Sequence, residues 1–519
     1  MKRLLLVLLM LLALGGSLLP AVAQDDTLVI TTLSDISSLD PAIGYDTLSW
    51  AVLPLYYRGL ISLADSTTPQ AELAESWEIS EDGTVYSFTL QEGLTFNDGE
   101  PLTAEDVKYS FERLLNPATA SPTAYFFDML EGAAEYQAGE AESISGIEVV
   151  DDLNVVFTFT RAEWTLAQRF ALPPGFIVSQ AHVEATGDNF SRSPMGAGPF
   201  IFGEWQAGVR LTGTANPNFF REGVPGVGAV QIDIGVEPSV GILRIENGEA
   251  DVSLDFVPNT DYPRISTDPA LAPQLLEVTA FPNVQYLIPN TREEPFSILE
   301  VRRALSIAID RERLVQIYNG RAVPAAGPIP PNVPGNDAEI SWVYDPDQAR
   351  QLLADAGYPE GFSTTIVTTT DPTDVSVAQA VAADWTAVGV TTEIESVEFA
   401  QWLDRAFNQP ETMPVAFIGW FMDYQDPSNV YEPLVSCGGS FNPGGYCNEG
   451  MDAVFQESKS IPPGDERWAS YAELETILVE NVPNINLVHV INYYYVGTRV
   501  QGLQADPAYL LDFDTVTLG

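Results

Sequence analysis

The chain has 519 residues, 45% of them hydrophobic, which is more than one ordinary domain needs and enough for two or three packed cores. A formal net charge of −49 excludes nucleic acid as a partner, because such binding needs basic patches to displace counterions, and it favours a self-repelling, soluble monomer. Two cysteines and two histidines (Cys437, Cys447, His182 and His489) make a poor zinc set, since structural zinc wants four converging ligands, so neither metal nor cofactor is expected.

The chain opens with Lys2 and Arg3, an apolar run from Leu4 to Leu14, a Gly15-Gly16-Ser17 break and the small-residue ending Ala21-Val22-Ala23. That is the layout of a secretory signal, residues 1–23, cleaved after Ala23. The alternative, an uncleaved anchor, falls short of the ~20 apolar residues of a spanning helix. The mature chain is therefore expected outside the cytoplasm. There Cys437 and Cys447, separated by a loop of Gly, Asn and Pro, are expected to pair as a disulfide.

Leu28-Val29-Ile30 reads as a strand, Leu39-Asp40-Pro41 as a turn, and Leu48 to Tyr57 as a helix ending near Gly59. Alternation predicts two hairpins, Trp77–Ser80 with Val85–Leu90 around Asp82-Gly83, and Ile147–Val150 with Val155–Phe159. Thr103 caps a helix whose apolar stripe is Val107, Phe111 and Leu114. Further helices are predicted over 242–250, 302–318, 349–356, 375–388 and 468–479, and strands over 363–370, 391–396, 415–420 and 485–496. Strands and helices mix without a repeat, which indicates an α/β protein of several lobes.

No motif for catalysis stands out. The sequence has no zinc helix of the His-Glu-x-x-His type, no phosphate-binding Gly-x-x-x-x-Gly-Lys loop and no Gly-x-Ser-x-Gly elbow. Carboxylates are so numerous that any pair could be taken for a glycosidase dyad, which leaves an extracellular hydrolase as the alternative from another class.

Four stretches resemble the extracellular solute-binding family 5, which includes the dipeptide-, oligopeptide- and nickel-binding receptors of ABC importers. They are Leu39-Asp40-Pro41 with Tyr57-Arg58-Gly59-Leu60; Ala71 to Trp77 followed by Phe96 to Val107; Val301 to Leu305 with Ala308 to Arg311; and Tyr344-Asp345-Pro346 with Ala356-Gly357-Tyr358. The resemblance implies an α/β, two-lobed periplasmic-binding-protein fold with an extra small α/β domain and a ligand cleft between the lobes. By analogy the first lobe takes 27–66, 190–289 and 498–519, the small domain 67–189 and the second lobe 290–497, with crossings near Pro289 and Val496. The function implied is capture of peptides, or else oligosaccharides, for delivery to membrane permease subunits.

In peptide-binding members the ligand adds a strand to each lobe, so that main-chain bonds give affinity without reading side chains. The matching positions are Tyr45-Asp46-Thr47 in the first lobe and Gly419-Trp420-Phe421 in the second. Asp423 falls where the family carries an acid for the peptide's α-ammonium, which lobe closure would otherwise bury unpaired. Asp426 lies in the same turn-rich segment, and Arg321 and Arg405 are candidate partners for a ligand carboxylate.

Overall fold

The computed structural model describes residues 26–65, 68–278, 282–506, 508 and 510–519; the signal segment 1–23 lies outside them. Among the described residues no helix is long and apolar enough to cross a membrane.

The first lobe is built on a five-stranded mixed sheet in the order Val252–Ser253, Thr27–Thr32, Ala229–Ile234, Arg210–Ala215, Phe200–Gln206. Its parallel centre matches Leu28 with Val230 and Ile30 with Ile232, all buried. Both predicted hairpins form, and together they make one four-stranded antiparallel sheet in which Trp77 faces Phe88 and Val149 faces Val155. The helix Ala104–Leu115 lies against this sheet, closed at its start by a reciprocal Thr103–Asp106 capping box and burying Val107, Phe111 and Leu114. Phe170 sits among Phe88, Phe111, Phe127 and Phe157 at 5.0–5.5 Å between ring centroids. The hydrophobic core runs unbroken from this small sheet into the five-stranded one, so the small domain and the first lobe share a single interior.

The second lobe holds a six-stranded sheet ordered Ala322–Pro324, Ile485–Val490, Asn283–Pro289, Val415–Phe421, Phe362–Thr369, Val390–Val397. Its central strand Asn283–Pro289 is buried along its whole length, as a strand covered on both faces must be. Leu287, Val415 and Phe417 enter one core, while Tyr286, Ile288, Ala416, Ile418 and Trp420 enter the other.

Three predicted elements change. The helix expected over 302–318 is two helices, Leu299–Ile307 and Arg311–Ile317. The break falls where the Asp310 carboxylate accepts from Arg313 N–H and its own N–H donates to Asp384 at 3.0 Å, so that Asp310 caps a new helix instead of continuing the old one. The helix placed at 242–250 is Pro238–Glu246, starting on a proline and followed by Gly248 at φ +73°. The strand expected over 485–496 divides: Ile485–Val490 joins the six-stranded sheet, and Tyr493–Tyr495 pairs with Leu275–Glu277 beside the first lobe.

That division moves both crossings between lobes. Asn283–Pro289, expected in the first lobe, pairs along its whole length with Val415–Phe421, so the first crossing lies ahead of Asn283, not near Pro289. The second lies at Ile491-Asn492, not near Val496. The two passes are tied side by side: Val278 N–H donates to Asn492 O at 2.9 Å, and the Asn283 side chain bonds both the N–H and the C=O of Val490.

Candidate functional site

The second-lobe half of the site grows out of the Val415–Phe421 strand. Antiparallel pairing with Asn283–Pro289 alternates bonded and non-bonded positions, and the 2.9 Å bond from Met422 N–H to Pro282 O sets the phase. Ile418 and Trp420 therefore bond to that neighbour, and Gly419 and Phe421 turn their main-chain groups the other way. On that side the strand pairs with Phe362–Thr369 only at Val415 and Ala416; among the described residues no strand continues the pairing beyond Ala416. The stretch from 417 to 421 thus offers an open sheet edge. Trp420 is buried, its indole N–H donating to Asn429 Oδ1 at 3.2 Å and its ring 5.4 Å from Phe441. Phe441 belongs to the loop closed by the Cys437–Cys447 disulfide.

Past the strand the chain turns through Asp423–Pro427 into the helix Ser428–Leu434. Asn429 ties the turn back: its Oδ1 accepts from Asp423 N–H and its Nδ2 donates to Asp423 Oδ2, both at 2.9 Å. Asp426 caps the same helix at Ser428 N–H and pairs with the buried Arg467 at 2.9 Å, which gives it a structural role.

The first-lobe half is a pinned loop. Asp40 is buried against the Arg113 guanidinium, Tyr57 OH donates to Leu39 O, and the Trp50 indole donates to Gly44 O. These bonds present Tyr45 across the cleft, where its hydroxyl donates to both Asp423 oxygens at 3.1 and 3.3 Å. Tyr125 reaches the same carboxylate at 3.5 Å and Tyr45 OH at 3.2 Å. The predicted residues Tyr45 and Asp423 are thus brought together. Asp46 and Thr47 are not part of a strand: Asp46 caps the helix Thr47–Val52 by accepting from Ser49 N–H, and Thr47 is its first residue. Phe421 stacks on Phe256 of the first lobe, at 6.1 Å and 27°.

Burial pushes the Asp423 carboxyl up from 3.8 to about 6, with the bonds from Asn429, Tyr45 and Tyr125 and the nearby Arg169 guanidinium opposing. Burial also holds the Tyr45 hydroxyl far above its ordinary value, so it remains a donor. The result is a carboxylate in a low-dielectric cage of aromatic rings and hydroxyls, suited to a cationic group that brings its own charge.

The two arginines considered for a ligand carboxylate are engaged elsewhere. Arg321 is buried, bonded to Val257 O at 2.9 Å and lying 4.6 Å over the Tyr262 ring. Arg405 pairs with Glu395 on the outer helix Phe399–Asn408. The sequence reading missed Asn429, Tyr125, Tyr424 and Arg169. Only Asn429, six residues past Asp423 at a helix start, carried a local signal.

Comparison with known proteins agrees with this architecture. The chain is 28% identical over 509 residues to heme-binding protein A of Haemophilus influenzae, covering 93% of this chain and 91% of that protein. It is 29% identical over 524 residues to di/tripeptide-binding protein 2 of Pseudomonas aeruginosa, covering 96% of each. Among solved structures, the murein tripeptide-binding protein of Escherichia coli superimposes with a TM-score of 0.83 at 23% identity, over 96% of this chain and 99% of that one. A structure of the murein tripeptide-binding protein in its unliganded open form gives 0.73 at 24% identity, over 96% and 98%. The family described as bacterial extracellular solute-binding proteins, family 5 Middle, matches residues 68–442, well over half the chain. The protein is a two-lobed member of the bacterial extracellular solute-binding proteins, family 5.

Proposed function

We propose that this protein is the exported receptor of an ABC importer, capturing short peptides between its lobes and handing them to membrane permease subunits. One observation carries the reading: a buried carboxylate, Asp423, stands at the end of an open strand edge. A peptide laid along that edge forms main-chain bonds with Gly419 and Phe421 and brings its α-ammonium to Asp423, with Trp420 walling the pocket. Tyr45 and Tyr125 follow the carboxylate from the other lobe and close over the amine. Asp46 and Thr47 contribute by fixing Tyr45, not by pairing with the ligand.

The receptor binds without making or breaking bonds, and ATP hydrolysis belongs to other chains. The signal segment 1–23 directs export, and the small domain 67–189 moves with the first lobe. Peptide is favoured over oligosaccharide because the centre of the site is a buried charge, which a neutral sugar would leave unpaired.

Isothermal titration of the mature protein with tri-alanine, N-acetyl-tri-alanine, maltotriose and hemin tests this. The expected result is stoichiometric binding of tri-alanine alone, with no turnover product. Binding of maltotriose or hemin in its place overturns the ligand assignment, and steady release of hydrolysis product overturns the receptor.

A further inference from the structure

Behind the site, the two bodies meet through buried charge. The chain has three lysines, and one of them, Lys459, is only 3% exposed at the end of the helix Glu449–Ser460. Its ammonium lies 2.8 Å from Glu163, a wholly buried residue of the small domain, and 2.8 Å from Glu432 of its own lobe. Arg169, also wholly buried on the small-domain side, stands 3.5 Å from Glu432 and 3.8 Å from Glu163 and donates to Tyr424 OH at 3.0 Å. The neighbouring Trp164 indole donates to Ser460 O at 3.1 Å. Burial works against the charge on Glu163, yet Arg169 and Lys459 outweigh it and hold the carboxyl at about 2.

Such a cluster makes sense only while the lobes are together. Separated, each charge is rehydrated; together, each must be matched, because one unpaired buried ion costs several kcal/mol. Glu163 and Arg169 lie on one body, Lys459, Glu432 and Tyr424 on the other. Tyr424 adjoins Asp423, so the cluster abuts the turn that holds the site's carboxylate.

We propose that Glu163, Arg169, Lys459 and Glu432 form a closure latch, an ion-pair relay that holds the lobes shut and, through Tyr424, sets the position of Asp423. These are positioning residues that touch no ligand. The proposal rests on the reading above in one respect, that Asp423 anchors the ligand; the latch itself holds the lobes shut with or without one.

Small-angle scattering without ligand compares E163Q, K459M and the double variant, with W164F as a milder probe of the same boundary. A rise in radius of gyration in each single variant, no larger in the double, is expected, because both substitutions cut one contact. Unchanged radii, or additive rises, refute it. Titration with tri-alanine reads the coupling: E163Q loses at least about tenfold in affinity through faster dissociation. An unchanged dissociation rate refutes the coupling to Asp423. Failure of tri-alanine to bind the parent protein overturns the peptide reading and leaves the scattering results to decide the latch.

Discussion

Replacing Asp423 by Asn keeps the shape of the site and removes its charge. Burial raises this carboxyl from 3.8 to about 6, and at about 1.4 kcal/mol per pH unit the bare carboxylate is disfavoured by about 3 kcal/mol. A ligand ammonium relieves that penalty, so Asp423→Asn is expected to weaken tri-alanine binding by about 3 kcal/mol, or roughly a hundredfold. The pH dependence has a definite sign. The ammonium needs the ionised acid, so affinity is flat above about pH 6 and falls about tenfold per unit below it. Titration calorimetry between pH 4.5 and 7, where the peptide amine stays charged, checks both points. The Asn variant is expected to bind weakly without a slope, and N-acetyl-tri-alanine to bind weakly to both proteins. A parent affinity unchanged through pH 6, or acetylated peptide bound as tightly as free, refutes the reasoning.

Arg467→Met strands Asp426 as a buried, unpaired charge and is expected to cost about 3–5 kcal/mol in urea denaturation, with part recovered in the Asp426→Asn/Arg467→Met double variant. His489 is buried with Nδ1 against Asn283 O at 2.8 Å, and burial lowers its value from 6.5 to about 4. Above pH 6.5 folded and unfolded forms are both neutral there; as the pH falls the unfolded chain is protonated first, so stability drains away between about 6.5 and 4. His489→Asn is expected to lose about 3 kcal/mol less across that window, read from denaturation midpoints at pH 7 and 4. Cys437→Ser with Cys447→Ser opens a ring closed across a sequence separation of 10 and is expected to cost about 3 kcal/mol. It also frees Phe441 from Trp420, so tri-alanine affinity is expected to fall as well.

Where structure follows from neighbours in sequence, it was legible. The Thr103–Asp106 cap, both hairpins and the turn after Trp420 need only local chemistry, and they stand where the residues put them. Thr47 was misread because counting from Leu39-Asp40-Pro41 fixes a distance along the chain but not a conformation. Asp46, a better helix cap than strand residue, decides the conformation there. The Asp423 surroundings were half legible for a different reason. Tyr125 lies 298 positions away and Arg169 lies 255 positions from the Tyr424 it contacts, so no spacing rule reaches them. The crossings were displaced because Asn283–Pro289 is apolar and buried on both faces, a pattern that suits the centre of either sheet.

The paired crossings have a mechanical consequence. Two passes of the chain bonded to each other on either side of the boundary, Val278 to Asn492 and Asn283 to Val490, resist shear and torsion far more than a single tether would, yet still fold along their common line. In the importer reading proposed above, such a pair confines relative motion of the two bodies to one swing, like a door on its leaf. Each closing stroke returns Tyr45 to Asp423 and Phe256 to Phe421 in the same register, with no search over orientations.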